Sequence, residues 1–261
     1  MGFEPIEIKV AGKAAQAHRG GSGDALLFLH GNDGLSTSWP VLEKLAESFD
    51  VIAPVHPGFG DELPDWLEGV DDYAYFYLDA IEALGLGRVH AVGHSVGGWV
   101  ALEMAVRNPL ALKTLTISGS SGIHVKGVPK GDPFFFSPEK LIRHLFVSEK
   151  LTEEWLDQES KMTAEEADER LMNQRALARV AWNPPFYSRG LHKWLHRINI
   201  PSHVIWGEQD RMWPIDYARE FNTRLKGSTL SVIPDCGHLA LVEKPDEFVG
   251  LVTQFIRGNA G

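Results

Sequence analysis

Arg88-Val89-His90-Ala91-Val92-Gly93-His94-Ser95-Val96-Gly97-Gly98-Trp99 is the stretch that decides how this chain folds. Arg88 to Gly93 is short and mostly apolar and reads as a strand. Ser95 to Arg107 reads as a helix, stopped by Asn108-Pro109. A backbone that passes from strand to helix so abruptly bends sharply at Ser95. Bulky side chains two positions either side would collide, and Gly93 and Gly97 relieve that crowding. Gly98 lets the helix pack closely. The Ser95 hydroxyl then stands at the C-terminal edge of the sheet, near the positive end of a helix dipole.

Outward from this turn, the chain alternates strand and helix. Ile6, Ile8 and Val10 alternate with charged residues, and Gln16 to Arg19 reads as their hairpin partner. Ala25 to Leu29 and Val51 to Pro54 are short apolar strands, apolar on both faces like the inner strands of a covered parallel sheet. Leu112 to Ile117, His203 to Trp206 and Leu230 to Ile233 add three more. Helices are expected from about Trp39 to Ser48, Asp71 to Leu84, Ile215 to Leu225 and Pro245 to Arg257. From about Ser120 to Arg197 the pattern holds helices and no strand. One starts at Ser137-Pro138-Glu139, and Thr163-Ala164-Glu165-Glu166 is a capping box ahead of another that runs to about Trp182. The reading is an α/β fold with a mostly parallel central sheet covered by helices. Residues 1–119 and 198–261 form the core, and 120–197 form an inserted helical lid.

Gly93-His94-Ser95-Val96-Gly97 matches G-x-S-x-G, with a strand before it and a helix after it, the context in which such a serine is a nucleophile. A serine hydroxyl needs a general base, and the base needs an orienting acid. His238 follows one strand, in Pro234-Asp235-Cys236-Gly237-His238. Asp210 follows another, in Trp206-Gly207-Glu208-Gln209-Asp210, with Glu208 and Asp235 as the other carboxylates in reach. Both His238 and Asp210 fall at the same sheet edge as Ser95, in the chain order serine, acid, histidine. His30-Gly31-Asn32-Asp33-Gly34 closes the first central strand. An oxyanion needs two donors, and the backbone N–H groups of Val96 and Asn32 are the candidates.

Composition narrows the remaining classes. The 261 residues carry 25 basic and 35 acidic side chains, a formal net charge of −10. That balance argues against a general binder of nucleic acid or anionic membrane. No apolar run approaches the ~20 residues needed to insert through a membrane. The single cysteine, Cys236, excludes an intramolecular disulfide and fits a cytoplasmic protein. His192 and His196 lie four apart, without an evident third ligand, so no metal site is expected. No phosphate loop or dinucleotide fingerprint is present. The expected partner is a small-molecule substrate, no cofactor is required, and nothing in the pattern decides between a monomer and a homo-oligomer.

Taken together, His30-Gly31-Asn32-Asp33-Gly34, Gly58-Phe59-Gly60-Asp61, Gly93 to Gly98, Trp206 to Asp210 and Gly237-His238 resemble the α/β-hydrolase superfamily over nearly the whole chain. The resemblance implies that residues 120–197 are a helical cap over the pocket, with Met212 and Leu239 near the substrate. It implies a serine hydrolase working through an acyl-enzyme, on a small to medium carboxylic ester. Within the superfamily the chain is similar both to esterases and to carbon–carbon bond hydrolases of aromatic ring-cleavage pathways. The second group commonly carries a cap arginine that binds a dienolate or carboxylate, and Arg175 is the candidate match. That group usually has tryptophan after its histidine, where this chain has Leu239. The superfamily often has serine after Gly-x-Gly in the second loop, where this chain has Asp61-Glu62. Haloalkane dehalogenases and epoxide hydrolases use an aspartate nucleophile, so Ser95 argues against both. A non-catalytic ligand-binding protein on the same fold is the reading from a different class, and a complete triad counts against it.

Overall fold

The computed structural model describes residues 2–259. Its strands are β1 (Glu4–Val10), β2 (Lys13–Gly21), β3 (Ala25–Leu29), β4 (Asp50–Pro54), β5 (Val89–His94), β6 (Leu112–Ser118), β7 (Ser202–Gly207) and β8 (Thr229–Ile233). They make one sheet in the order β1-β2-β4-β3-β5-β6-β7-β8. β2 runs antiparallel to both β1 and β4, and the other pairings are parallel. The helices are α1 (Trp39–Ala46), α2 (Val70–Ala83), α3 (Val96–Arg107), α4 (Pro138–Leu145), α5 (Glu149–Ser160), α6 (Ala164–Ala181), α7 (Leu191–Trp194), α8 (Ile215–Arg224), α9 (Ala240–Glu243) and α10 (Pro245–Gly258).

The apolar runs of the inner strands split by alternation, because successive side chains point to opposite faces. Leu26 and Phe28 join Val51, Ala53 and Val92 on one face, under Leu42 and Leu45 of α1 and Phe248 and Val252 of α10. Leu27 and Leu29 join Ile52, Ala91 and Leu115 on the other, under α2, α3 and α8. Both faces are covered, so these strands lack the polar alternation seen in β1.

Between β6 and β7 the described residues form helices and turns and no strand. The expected capping box is present: Thr163 Oγ1 accepts from Glu166 N at 3.2 Å, and Glu166 Oε2 accepts from Thr163 N at 2.7 Å. Ser137 and Ser148 cap α4 and α5 in the same way, each accepting at 3.3 Å. α5 is a helix that the apolar pattern does not reveal. Its sequence is dominated by charged and polar residues, and only Thr152 is fully buried. The stretch holding His192 and His196 breaks into α7 and a following 3₁₀ turn, with both histidines exposed.

Two backbone approaches fix the sheet edge that carries the loops. A Cβ on Gly97 would overlap the carbonyl oxygens of Leu29 and His30, so β3 meets the first turn of α3 in direct contact. A Cβ on Gly207, at the end of β7, would overlap the Gly237 carbonyl oxygen. Gly207→Ala is therefore expected to cost about 2–3 kcal/mol or more, since neither neighbour is a flexible side-chain end. Urea denaturation measures this, and an unchanged midpoint would contradict the contact.

Candidate active site

Ser95 lies between β5 and α3 with φ +52° and ψ −116°, a conformation that side-chain-bearing residues rarely adopt. The strain is held from both sides. Its N–H donates to the Ser118 carbonyl at 2.9 Å, and its carbonyl accepts from Trp99 N and Ser121 N, each at 3.3 Å. Gly93 lies hard against the Gly97 carbonyl, and a Cβ on Gly98 would meet Ser120 Oγ at 2.6 Å.

His238 Nε2 lies 3.3 Å from Ser95 Oγ, and its Nδ1 lies 2.9 Å from Asp210 Oδ2. The natural proton arrangement has Nδ1–H donating to the carboxylate and Nε2 accepting from the serine. All three side chains are buried. The second oxygen of Asp210 accepts from the Met212 and Trp213 N–H groups, each at 2.8 Å. Asp210 thus faces the histidine with its other acceptor satisfied, the arrangement that holds an ionised carboxylate in place. Glu208 and Asp235, the other carboxylates in reach, are exposed. Cys236 is buried, and desolvation pushes its thiol up to about 12, so it stays protonated and inert.

The His30–Gly34 loop closes on itself through Gly34 N to Gly31 O at 3.3 Å. Gly31 abuts the nucleophile turn, where a Cβ would stand 2.9 Å from His94 Cδ2 and 3.3 Å from Ser95 Cβ. Asn32 and Val96 line the same small pocket as Ser95 and His238. Behind the loop is a chain of neutral groups. His30 Nε2 accepts from His56 N at 2.9 Å, His56 Nε2 faces the His30 carbonyl at 3.1 Å, and His56 Nδ1 meets Tyr77 Oη at 2.6 Å. Burial is the main cause that lowers both histidines, His30 to about 4.

The pocket at Ser95 has a volume of about 20 Å³, room for about one water molecule. Its lining also includes Leu141, Leu145, Leu177 and Phe186, from the helical stretch between β6 and β7. Met212 lines it too. Leu239 does not: it is fully buried in the core beneath. Arg175 is exposed on α6 and lines neither this pocket nor the adjoining cleft, because Asn173, Ala176 and Leu177 are the residues of that helix turned inward. The Phe134–Phe136 run stays outside the pocket, with Phe134 stacked on Phe186 at 5.0 Å between ring centres. A cleft of about 520 Å³ lies between the Asn32-Asp33 loop and α4, α5 and α6, and shares Asn32, Asp33, Leu141 and Leu145 with the small pocket. No cluster of three or more metal-ligating side chains occurs among the described residues.

A family model described as the Alpha/beta hydrolase family matches residues 26–251. The chain belongs to the alpha/beta hydrolase family. It is 28% identical over 259 residues to the 2-hydroxy-6-oxo-6-phenylhexa-2,4-dienoate hydrolase of Comamonas testosteroni, covering 91% of this chain and 89% of that one. It is 27% identical over 264 residues to the 2-hydroxy-6-oxononadienedioate/2-hydroxy-6-oxononatrienedioate hydrolase of Burkholderia vietnamiensis, covering 91% and 88%. A solved structure described as a membrane phospholipase A superposes with TM-score 0.83 at 23% identity, over 100% of this chain and 87% of that one, a likeness of fold. As a member of this family the chain is a hydrolytic enzyme. No helix among the described residues is long and apolar enough to cross a membrane.

Glu243 is a residue of the site that the sequence pattern does not single out. Its Oε2 accepts from Gly237 N at 2.6 Å, next to His238, while Oε1 accepts from Val147 N at 2.7 Å and Ser148 N at 2.5 Å, between α4 and α5. The Leu145 carbonyl accepts from His238 N at 2.8 Å and Leu239 N at 3.3 Å in the same seam. Glutamine cannot accept from both sides, because its NH₂ would face an N–H. Glu243→Gln is thus expected to cost about 1–3 kcal/mol and to open the α4–α5 junction to proteases. Urea denaturation and limited proteolysis read the two effects, and a variant matching the parent in both would remove Glu243 as the clamp.

The buried histidines set an acid limit. Each is neutral when folded and free to protonate when unfolded, near its ordinary pKa of about 6.5. A lowered folded pKa contributes stability above the unfolded value, and that contribution is lost as pH falls toward the folded value. His30 and His203 are both lowered from 6.5 to about 4 by desolvation, so the loss falls between those two values. For fully buried His30 it amounts to about 3 kcal/mol. Urea midpoints should fall steadily between about pH 6.5 and pH 4, and a flat profile would contradict it.

Proposed function

We propose that Ser95, His238 and Asp210 are the catalytic triad of a serine hydrolase that cleaves a small to medium carboxylic ester through an acyl-enzyme. The observation that carries this reading is the buried line from Ser95 Oγ to His238 Nε2 at 3.3 Å and from His238 Nδ1 to Asp210 Oδ2 at 2.9 Å. The serine–histidine distance is long for a neutral hydrogen bond but within the range of resting hydrolases, which tighten on binding substrate.

Ser95 Oγ attacks the ester carbonyl while His238 Nε2 takes its proton. Asp210 stabilises the imidazolium that forms. The N–H groups of Val96 and Asn32 hold the oxyanion, each worth on the order of 3 kcal/mol. His238 returns the proton to the departing alcohol. A water molecule, deprotonated by the same histidine, then cleaves the acyl-enzyme and regenerates the Ser95 hydroxyl. The chemistry requires no cofactor or metal. Residues 120–197 serve as the cap, and the seam at Leu145 and Glu243 seats it against the histidine loop.

A second reading, the carbon–carbon bond hydrolase, is favoured by the names of the Comamonas and Burkholderia relatives, hydrolases of a 2-hydroxy-6-oxo dienoate and of a 2-hydroxy-6-oxo dienedioate or trienedioate. Their substrates carry carboxylates. What supports the ester reading over it is the pocket wall: Arg175 is exposed and outside the pocket, and no lysine or arginine lines the space around Ser95. A binding protein without catalysis would have no use for the strained Ser95 backbone.

Ser95→Ala should lower kcat on a short-chain 4-nitrophenyl ester by roughly 10⁵- to 10⁶-fold and abolish labelling by a fluorophosphonate. Full turnover in the variant would overturn the assignment. Faster wild-type turnover of a dienone acid than of every ester in a graded series would move the function to the second reading.

A further inference from the structure

The loop that carries the Asn32 donor carries a charge immediately after it. Asp33 lines both the small pocket, together with Ser95 and His238, and the larger cleft under α4, α5 and α6. It stands where a substrate spanning the two spaces must pass. Among the described residues no side chain donates to its carboxylate and no cation pairs with it, and its own backbone N–H is the donor in reach. Asp50 and Asp24, by contrast, are paired with Arg19 and Lys113. Asp33 lines the same small space as Ser95 and His238, where burial pushes its carboxyl up and nearby His238 opposes that shift. Beside it, Asn32 Oδ1 is a buried acceptor without a hydrogen-bond partner among the described residues.

The rest of the cleft adds to the same field. Glu159, Glu166 and Glu169 line it, and its one guanidinium, Arg170, is already tied to Glu159 at 2.5 Å. Glu166 is engaged at the N-terminus of α6, and Glu169 packs against Gly60. Arg175 is on the outer face of α6, and Lys130 is held over the Phe186 and Trp213 rings, 5.0 Å from each centre.

We propose that Asp33 is a specificity-determining residue that makes this site accept esters bearing a cationic group on the acyl chain and reject those bearing a carboxylate. The inference rests on Ser95 being the nucleophile and goes further by naming the charge class of the substrate. A unit charge about 5 Å from Asp33, at the effective dielectric of a partly buried site, shifts the preference between a cation and an anion by 100-fold or more, expressed as a ratio of about 10² to 10⁴. Salt weakens it, because the cleft is open to solvent.

Three 4-nitrophenyl esters of matched length test this: hexanoate, 6-(trimethylammonio)hexanoate and the adipate half-ester. The readout is the ratio of kcat/KM for the cationic ester to that for the anionic one, which a common loss of turnover leaves untouched. The expected ratio is at least about 100 in the wild type, with hexanoate between, and Asp33→Asn should lower it by about 100-fold, toward 1. If that variant does not fold, the wild-type ratio should still drop severalfold between about 0.01 M and 0.5 M salt. A wild-type preference for the adipate ester, a ratio unchanged by Asp33→Asn, or a salt-independent ratio would overturn the proposal. Fluorophosphonate labelling of Ser95, run beside the assay, separates the two levels. Absent labelling and turnover defeat the nucleophile reading, whereas a labelled, active enzyme without charge order defeats the role of Asp33 alone.

Discussion

The turn from β5 into α3 is possible only because backbone touches backbone where side chains would otherwise stand. Gly97 rests on the carbonyls of Leu29 and His30, and Gly93 rests under the carbonyl of Gly97. That contact locks the end of β3 to the start of α3. The loop with Asn32 begins at His30, so Ser95 and the proposed second oxyanion donor are placed by one and the same approach. The histidine is placed by a parallel device at the other side of the sheet, where Gly207 lies against the Gly237 carbonyl. A site assembled from distant segments thus inherits its geometry from two points of direct backbone contact.

Histidine serves this chain in two opposite ways. His238 is held by a carboxylate whose remaining oxygen is satisfied by two N–H groups. His30 and His56 have no such partner, and desolvation keeps them neutral. Neutrality is what their structural task requires. One ring nitrogen must accept while the other donates, and a protonated ring would put a donor where His30 Nε2 now takes the His56 N–H.

Much of the fold was legible because burial on both faces leaves an unmistakable apolar run, as at Ala25–Leu29, and because the punctuation is chemical, as at Asn108-Pro109 or the Thr163 capping box. That Ser95, His238 and Asp210 would meet was legible because each follows a strand, and strand ends in a parallel sheet share an edge. What escaped was anything decided by contact across the insert. α5 has almost no fully buried face to show in its pattern. Arg175 and Arg170 look alike in sequence, and only the roll of α6 sends the second toward the cleft and the first to solvent. Leu239 was expected beside the substrate because it follows His238, yet it turns down into the core. Glu243 looks like any acid at the end of a short helix until the α4–α5 junction arrives beside it.

The insert is attached in two different styles. α4 and α5 are joined to the histidine loop by the Leu145 carbonyl and by three backbone N–H groups gathered on Glu243. α6 is hung from the second loop by one side-chain amide, Asn173 Oδ1 to Gly60 N at 2.7 Å, with Ala176 resting near Gly58. The insert therefore has a seam within it. The half around α4 and α5 belongs mechanically to the His238 loop, and replacing it means rebuilding the ground on which His238 stands. The half around α6 supplies Arg170 and Glu169 to the cleft and Leu177 to the small pocket, so residues 163–182 are the panel that a lineage or an engineer would exchange to change what enters either space.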